Sequence, residues 1–210
     1  MKQERSQVTR DRLIEAAGEV FARAGFESAR LADIAQLAGV TTGALYFNFD
    51  GKEALAANLI QRQSDIATTI SKEALERPGE ALESMVQLSL DWARLIGSDP
   101  VAAGVRLILE RPDLLPDIST PYAHWFSVAE QFLRRADANG ELARHIDPDE
   151  VAFIFTAAFV GVDILSGAVQ ARERLIARVQ LMWDVLLYGI ADTRKAPGAA
   201  RILRGTGATI

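Results

Sequence analysis

Apolar residues recur at three- and four-residue spacing along most of the 210-residue chain, and no stretch keeps the two-residue alternation of a strand. The pattern predicts an all-α protein. A first helix is expected from near Gln7 to near Ala24, with Leu13, Ala17, Val20 and Ala24 as its stripe and Gly25 as its terminator. Leu31, Ile34, Ala35 and Ala38 outline a short second helix; Gly39 supplies a left-handed turn, Val40 plugs it, and Thr41 or Thr42 caps a third helix reaching about Phe47. From Lys52 to about Glu76 runs one long helix with Leu55, Leu59, Ile66 and Ile70 on its apolar face, stopped by Arg77-Pro78-Gly79. Further helices are expected at about 80–96, 99–110, 120–138, 147–170 and 173–191, with Asp99-Pro100, Thr120-Pro121 and Asp147-Pro148 as cap-then-proline starts. The gap around Pro112 and Pro116 reads as a loop, and residues 193–210 read as a flexible tail.

Helix, glycine turn and short helix together make a helix-turn-helix, whose second helix is built to enter the major groove of DNA. Within that second helix Leu45 and Phe49 can anchor to a core, while Gly43 and Ala44 are small enough to bring backbone close to a duplex. Thr41, Thr42 and Gly43 are expected nearest the base edges, Tyr46 and Lys52 on phosphates, with Phe47 adding aromatic contact. Ser28 reads as the cap of the second helix, with a hydroxyl that can also bond a phosphate. Arg5, Arg10 and Arg12 form either a solvated first turn or a basic arm that reaches the DNA backbone. A hairpin that binds protein instead of DNA shares the same apolar pattern; the salt dependence of a gel shift separates the two.

The helix predicted at 147–170 is apolar nearly all round. Val151, Phe155, Ala158, Val162 and Leu165 cover one face, and Ile154, Ala157, Gly161, Ile164 and Ala168 another. The last helix, with Val179, Met182, Trp183, Leu186, Leu187 and Ile190, shows the same excess. A chain of this size offers one core, so the second face calls for a partner, and a two-fold homodimer is expected. Its interface is expected at Val151, Phe155, Ala158, Gly161, Val162, Leu165, Val179, Trp183 and Leu186.

Composition narrows the chemistry. With no cysteine and only His124 and His145, neither a thiolate nor a histidine metal cluster is expected, and no metal or cofactor is assigned. No G-x-S-x-G, phosphate loop or H-E-x-x-H is present, so no catalytic residue is assigned and an enzyme is not expected. The net charge of −5 lies wholly downstream of Arg62, since basic and acidic residues balance up to there. A charged start without an apolar segment, and an apolar run from Val151 through Val162 read as too short for a bilayer, suggest a cytoplasmic protein without membrane contact. Gln63, within the apolar stripe of its helix, and Thr156 need partners or a ligand. Trp92, Trp125, Phe132 and Phe159 supply the apolar lining that a small-molecule site requires. Asp163 reads either as a pocket group or as a dimer-interface partner for Arg172 or Arg174.

The element order around GVTTGALYFNFDGKEAL resembles the TetR family of one-component transcriptional repressors over roughly residues 8–60. Thr42 and Asn48 stand where Lys and His are frequent in similar members. LIQRQS, DPVAAGVRL, PYAHW and FVGVDILSG resemble the γ-butyrolactone receptor branch of that family. The resemblance implies a three-helix DNA-binding domain at 1–50 and a ligand-binding and dimerisation domain at 51–192. It implies operator DNA and a small-molecule effector as partners, with Trp125 lining the effector pocket and Gln63 matching a lactone-binding glutamine. Some receptors of the branch respond to antibiotics or to no signal.

Overall fold

The computed structural model describes residues 2–97, 99–114, 119–144, 146–169, 171–192, 194–198 and 201. Among them the α-helices are α1 (Lys2–Ser28), α2 (Leu31–Leu37), α3 (Thr42–Asn48), α4 (Lys52–Glu76), α5 (Ala81–Leu95), α6 (Asp99–Glu110), α7 (Ser119–Ala138), α8 (Pro148–Ala168) and α9 (Leu175–Ile190). Single 3₁₀ turns occupy Pro112–Leu114 and Arg172–Arg174. The chain folds as two compact units: residues 1–66 with 95–118, and residues 67–94 with 119–210.

In the first unit, Leu13, Phe21, Phe26, Ile34, Leu45 and Leu55 are all but completely buried, each such side chain contributing about 1.5–3 kcal/mol of apolar transfer. Helix α1 packs on α6 at Gly18, where an added Cβ would lie 2.8 Å from Pro100 Cα. Gly25 breaks α1 as expected, at φ 74° and ψ 167°, but the helical turns resume and carry the element on to Ser28. The break leaves the Ala22 carbonyl to accept Arg106 Nη1 at 2.6 Å. Ser28 is therefore the end of α1 and not the cap of α2; Arg30 takes that place without a side-chain bond, its carbonyl receiving the N–H groups of Asp33 and Ile34.

The second unit packs α7 on α8 and α8 on α9, with α5 and the end of α4. Trp183 is 2% exposed, stacks on Phe155 at 4.7 Å between centroids, and donates its indole N–H to Ser89 Oγ. Helix α5 receives its N-terminal cap from far along the chain: the buried Glu141 carboxylate accepts the N–H groups of Ala81 and Leu82, each at 2.9 Å, and the Asn139 side-chain amide at 2.9 Å. Helix α8 starts as predicted, Asp147 accepting Asp149 N–H at 2.9 Å ahead of Pro148.

Four expectations change here. Phe155, Val179 and Trp183 lie in the core of the chain's own second unit, since the face of α8 and α9 that they share is the one turned inward; they have no surface left for a partner. Phe132 is likewise fully enclosed, which makes it core and not pocket lining. The Val151–Val162 run belongs to a 21-residue helix that by length and composition alone could cross a membrane. Residues 194–198 do not fray: Ala196 is fully buried, and Gly198 N–H reaches the Glu80 carboxylate at 2.8 Å. The tail from 202 to 210, and His145, lie outside the described residues.

Candidate nucleic-acid interface and effector site

Helix α3 has only seven residues and cannot hold itself. Its start is fixed by Thr41, whose backbone is extended (φ −76°, ψ 154°) and whose Oγ1 accepts Ala44 N–H at 3.1 Å. The turn before it is closed at Gly39, φ 68°, where Ala38, Gly39 and Val40 donate to the carbonyls of Ile34, Gln36 and Ala35. Leu45 and Phe49 are buried, as the sequence suggested, and they turn the opposite face of α3 to solvent. Thr41, Thr42 and Gly43 are exposed, Ala44 is half-buried, and the rings of Tyr46 and Phe47 are 57% and 86% exposed. Two bare aromatics on a short capped helix form a surface suited to a ligand with both a polar backbone and apolar edges. Ser28 is exposed as well, at the end of α1.

The cations of this unit do more internal work than their positions in the sequence suggested. Arg10 donates Nη1 to the Asn48 carbonyl at 2.9 Å and Nη2 to Asn58 Oδ1 at 2.7 Å, with its guanidinium 4.3 Å from the Phe49 ring centre. Lys52 Nζ reaches the Glu27 carbonyl at 3.0 Å and the Ala29 carbonyl at 3.4 Å, and sits 4.6 Å from the Phe26 ring centre. Two of its three protons are thus occupied, which leaves one for a phosphate. Arg111 joins the same cluster, 4.7 Å from the Phe26 centre and 3.1 Å from Glu27 Oε1. Its fork on Asp113, at 2.8 and 2.6 Å, holds that carboxyl below the usual carboxylate range. None of these partnerships has a local sequence signal, because the contacting residues lie 23 to 85 positions apart, the Arg111–Asp113 pair excepted.

Of the residues expected at an effector site, the second unit brings Trp92 and Trp125 together, with ring centres 4.8 Å apart at 50°. Trp92 is nearly buried and Trp125 half-buried. His124 stands edge-on to Trp125 at 5.3 Å, and its Nε2 lies 3.2 Å from Ser71 Oγ. Ser71 donates its own proton to the Ala67 carbonyl at 2.6 Å, so Nε2–H is the donor to Ser71. Burial lowers the His124 pKa and keeps the ring neutral. Thr156 is half-buried and returns its hydroxyl to the Ala152 carbonyl at 3.0 Å; Phe159 is half-buried on the same helix. Asp163 is buried and paired with Arg172 at 3.1 Å within its own chain; the arginine is one of the two expected, but the pair is internal and not across a subunit interface. Burial raises its carboxyl pKa against the opposing pull of Arg172.

Gln63 belongs to the first unit. It is buried, and its Oε1 has no hydrogen-bond partner. Room for that oxygen exists because residue 104 is glycine: a Cβ there would lie 2.5 Å from Oε1. An unmatched buried acceptor costs about 1–3 kcal/mol, which a bound donor would recover.

The outer faces of α8 and α9 remain apolar and open. Phe153, Ile154, Ile164, Leu165 and Val169 on α8, and Leu181, Val185 and Tyr188 on α9, are exposed. Of the residues expected at a subunit interface, Leu165 lies on this surface and Gly161 faces open space, while Val151, Ala158, Val162 and Leu186 are half-buried.

Comparison with known proteins agrees with this layout. Residues 13–59 match the tetR family of bacterial regulatory proteins, and residues 79–192 match a tetracyclin repressor-like C-terminal domain. The A-factor receptor protein of Streptomyces griseus is 33% identical over 191 residues, a match covering 90% of this chain and 66% of the receptor, just under two thirds of its length. A solved γ-butyrolactone receptor described as ArpA-like is 33% identical with a TM-score of 0.77, covering 96% of this chain and 100% of that one. CprB of Streptomyces coelicolor, solved in complex with its biological operator sequence, is 33% identical with a TM-score of 0.80, covering 98% and 100%. The chain belongs to the tetR family of bacterial regulatory proteins and is a helix-turn-helix transcription regulator.

Proposed function

We propose that this protein is a cytoplasmic, ligand-responsive repressor that binds a pseudo-palindromic operator as a homodimer and releases it on binding a small, largely apolar signal of the γ-butyrolactone or butenolide kind. The observation that carries the reading is α3: a capped two-turn helix with its anchoring residues buried and Thr41, Thr42, Gly43, Tyr46 and Phe47 open. Thr41, Thr42, Gly43 and Ala44 approach base edges, Tyr46, Ser28 and the third proton of Lys52 meet phosphates, and Phe47 packs on the groove wall. The open apolar faces of α8 and α9 support a two-fold interface, which sets two reader helices about 34–36 Å apart on successive major grooves. Residues 1–50 act as the DNA-binding domain and 51–192 as the effector and dimerisation domain.

In the second unit the Trp92–Trp125 pair, Thr156 and Phe159 offer an effector apolar contact; in the first unit, taken by itself, Gln63 Oε1 is an unmatched buried acceptor. The relative described as a γ-butyrolactone receptor favours the lactone class. Release requires that the signal bind the non-operator state more tightly than the operator-bound state, since only differential affinity shifts an equilibrium.

A gel shift tests the reading in two stages. Wild-type protein should retain an operator duplex selected from a random-sequence library, with affinity falling steeply as salt rises. Added γ-butyrolactones or butenolides should then release it. A protein that selects no duplex is not a DNA reader; one that binds but ignores every such lactone is a regulator with a different effector. Sedimentation of Leu165→Asp as monomer or aggregate, against a wild-type dimer, checks the interface, because an unpaired charge in an apolar contact costs several kcal/mol, roughly.

A further inference from the structure

We propose that Arg10 is a positioning residue for operator recognition, holding the C-terminal end of the reader helix from beneath and not touching DNA itself. The inference rests on α3 being the reader. The helix is pinned at its start by the Thr41 cap, and its last carbonyls need a second clamp. One of those carbonyls, on Asn48, receives Arg10 Nη1 at 2.9 Å, where a cation also meets the negative end of the helix. The other arm of the same guanidinium holds Asn58 Oδ1 at 2.7 Å. Asn58 is itself fixed, its Nδ2 donating to the Ala54 carbonyl at 2.8 Å. The guanidinium carbon lies 4.3 Å from the centre of the buried Phe49 ring, directly after α3. A single side chain on α1 therefore ties α3 to α4 through a planar two-armed donor.

The geometry gives Arg10 a place that is neither of the two the sequence left open, a solvated first turn or a DNA-facing arm. Asn48 is itself braced within α3, its side-chain amide donating back to the Ala44 carbonyl at 2.8 Å, so the residue that Arg10 grips is held from both sides. Loss of Arg10 leaves α3 free to tilt about its Thr41 end. The fraction of molecules with Thr42, Tyr46 and Phe47 correctly presented then falls, and the apparent affinity falls with that fraction.

The test uses full-length protein and the operator duplex selected by the wild type, with affinity measured across a salt series. Arg10→Gln should weaken binding about tenfold to a hundredfold, the range of a lost charge-assisted bond, while the slope of log affinity against log salt stays at its wild-type value. Arg10→Lys should recover little, because an ammonium cannot serve both acceptors in one plane. Asn58→Leu should weaken binding several-fold, and the double variant should be hardly weaker than Arg10→Gln alone. If Arg10→Gln fails to fold, as judged by circular dichroism, Asn58→Leu carries the test by the same readout. Wild-type affinity in Arg10→Gln, or in Asn58→Leu where it stands alone, overturns the proposal. A slope lowered by about one with Arg10→Lys restoring affinity also overturns it, since that is the behaviour of a phosphate contact. Tyr46→Ala runs alongside: if it too binds as wild type, the reader-helix assignment itself has failed; if only Arg10 is silent, the positioning role alone is lost.

Discussion

Replacing Trp125 by alanine, in parallel with Trp183, separates an effector contact from a core tryptophan. Trp183 is 2% exposed, stacked on Phe155 and hydrogen-bonded to Ser89. Its truncation leaves a cavity inside the second unit and should cost about 3–5 kcal/mol. Trp125 is only half-buried, and the ring contacts it loses are the tilted pairing with Trp92 and the edge of His124. One aromatic pair is worth about 0.5–1.5 kcal/mol, and partial burial of the ring adds a similar amount, so about 1–3 kcal/mol is expected. His124 keeps its bond to Ser71 in the variant, so no buried polar group is stranded. For a chain of this length each kcal/mol lowers Tm by about 2–4 °C. Trp125→Ala should therefore melt a few degrees below wild type and Trp183→Ala by about 10 °C or more. In a gel shift, Trp125→Ala should hold the operator as wild type does and fail to release it at lactone concentrations that release the wild type. The measurement is paired: a melting curve by circular dichroism, and the lactone concentration for half-release. Equal destabilisation of the two variants, or a wild-type release curve for Trp125→Ala, would refute the assignment of Trp125 to the effector.

Three further outcomes are expected. Glu141→Ala strands two buried N–H groups at the start of α5 and should lower stability by about 2–5 kcal/mol in urea titration, while Glu141→Gln, which keeps one acceptor, should lose less; equal losses would show that the caps do not matter. Gly104→Ala puts a Cβ 2.5 Å from Gln63 Oε1, so Gln63 must swing away; the half-release concentration should rise about tenfold with operator affinity unchanged, and an unaltered release curve would remove Gln63 from the effector contacts. Burial lowers the folded-state pKa of His124, so the unfolded chain takes up the proton first. Stability from this group is complete above a pH of about 6.5 and declines as pH falls from there towards the lowered folded value. His124→Asn should flatten that decline between pH 7.5 and 5.5 in urea midpoints, and a wild-type pH dependence in the variant would place its origin elsewhere.

The reader helix was legible because its determinants are local. Gly39, Thr41, Leu45 and Phe49 lie within eleven consecutive residues, and each does in the structure what its type and spacing predict. Asp147-Pro148 worked for the same reason. The destinations of the cations were not legible. Arg10 finds its acceptors 38 and 48 residues away, and Glu141 caps a helix 59 and 60 residues upstream. Nothing in the sequence around either residue encodes those meetings. The apolar excess of α8 and α9 announced two buried faces without saying which of them belongs to the chain's own core. Phe155, Val179 and Trp183 were therefore assigned outward, while Phe153, Val185 and Tyr188, which do face outward, were passed over. Periodicity gives the angle between two faces of a helix and is blind to its rotation.

The nakedness of Tyr46 and Phe47 has a thermal consequence. Side chains this open order water around them in the free protein, and on the proposed reading they shed it when the groove closes over them. Removing roughly 250 Å² of aromatic surface per head gives a heat-capacity change of about −0.1 kcal/mol/K on association, doubled for a two-headed complex. The enthalpy of operator binding should then grow more favourable with each degree of warming, and a van't Hoff plot should curve. A reader that meets DNA through lysines and arginines alone lacks this curvature, because ion release carries little heat-capacity change of its own. On that reading the temperature dependence of operator affinity is set in part by two aromatic rings and not by charge alone.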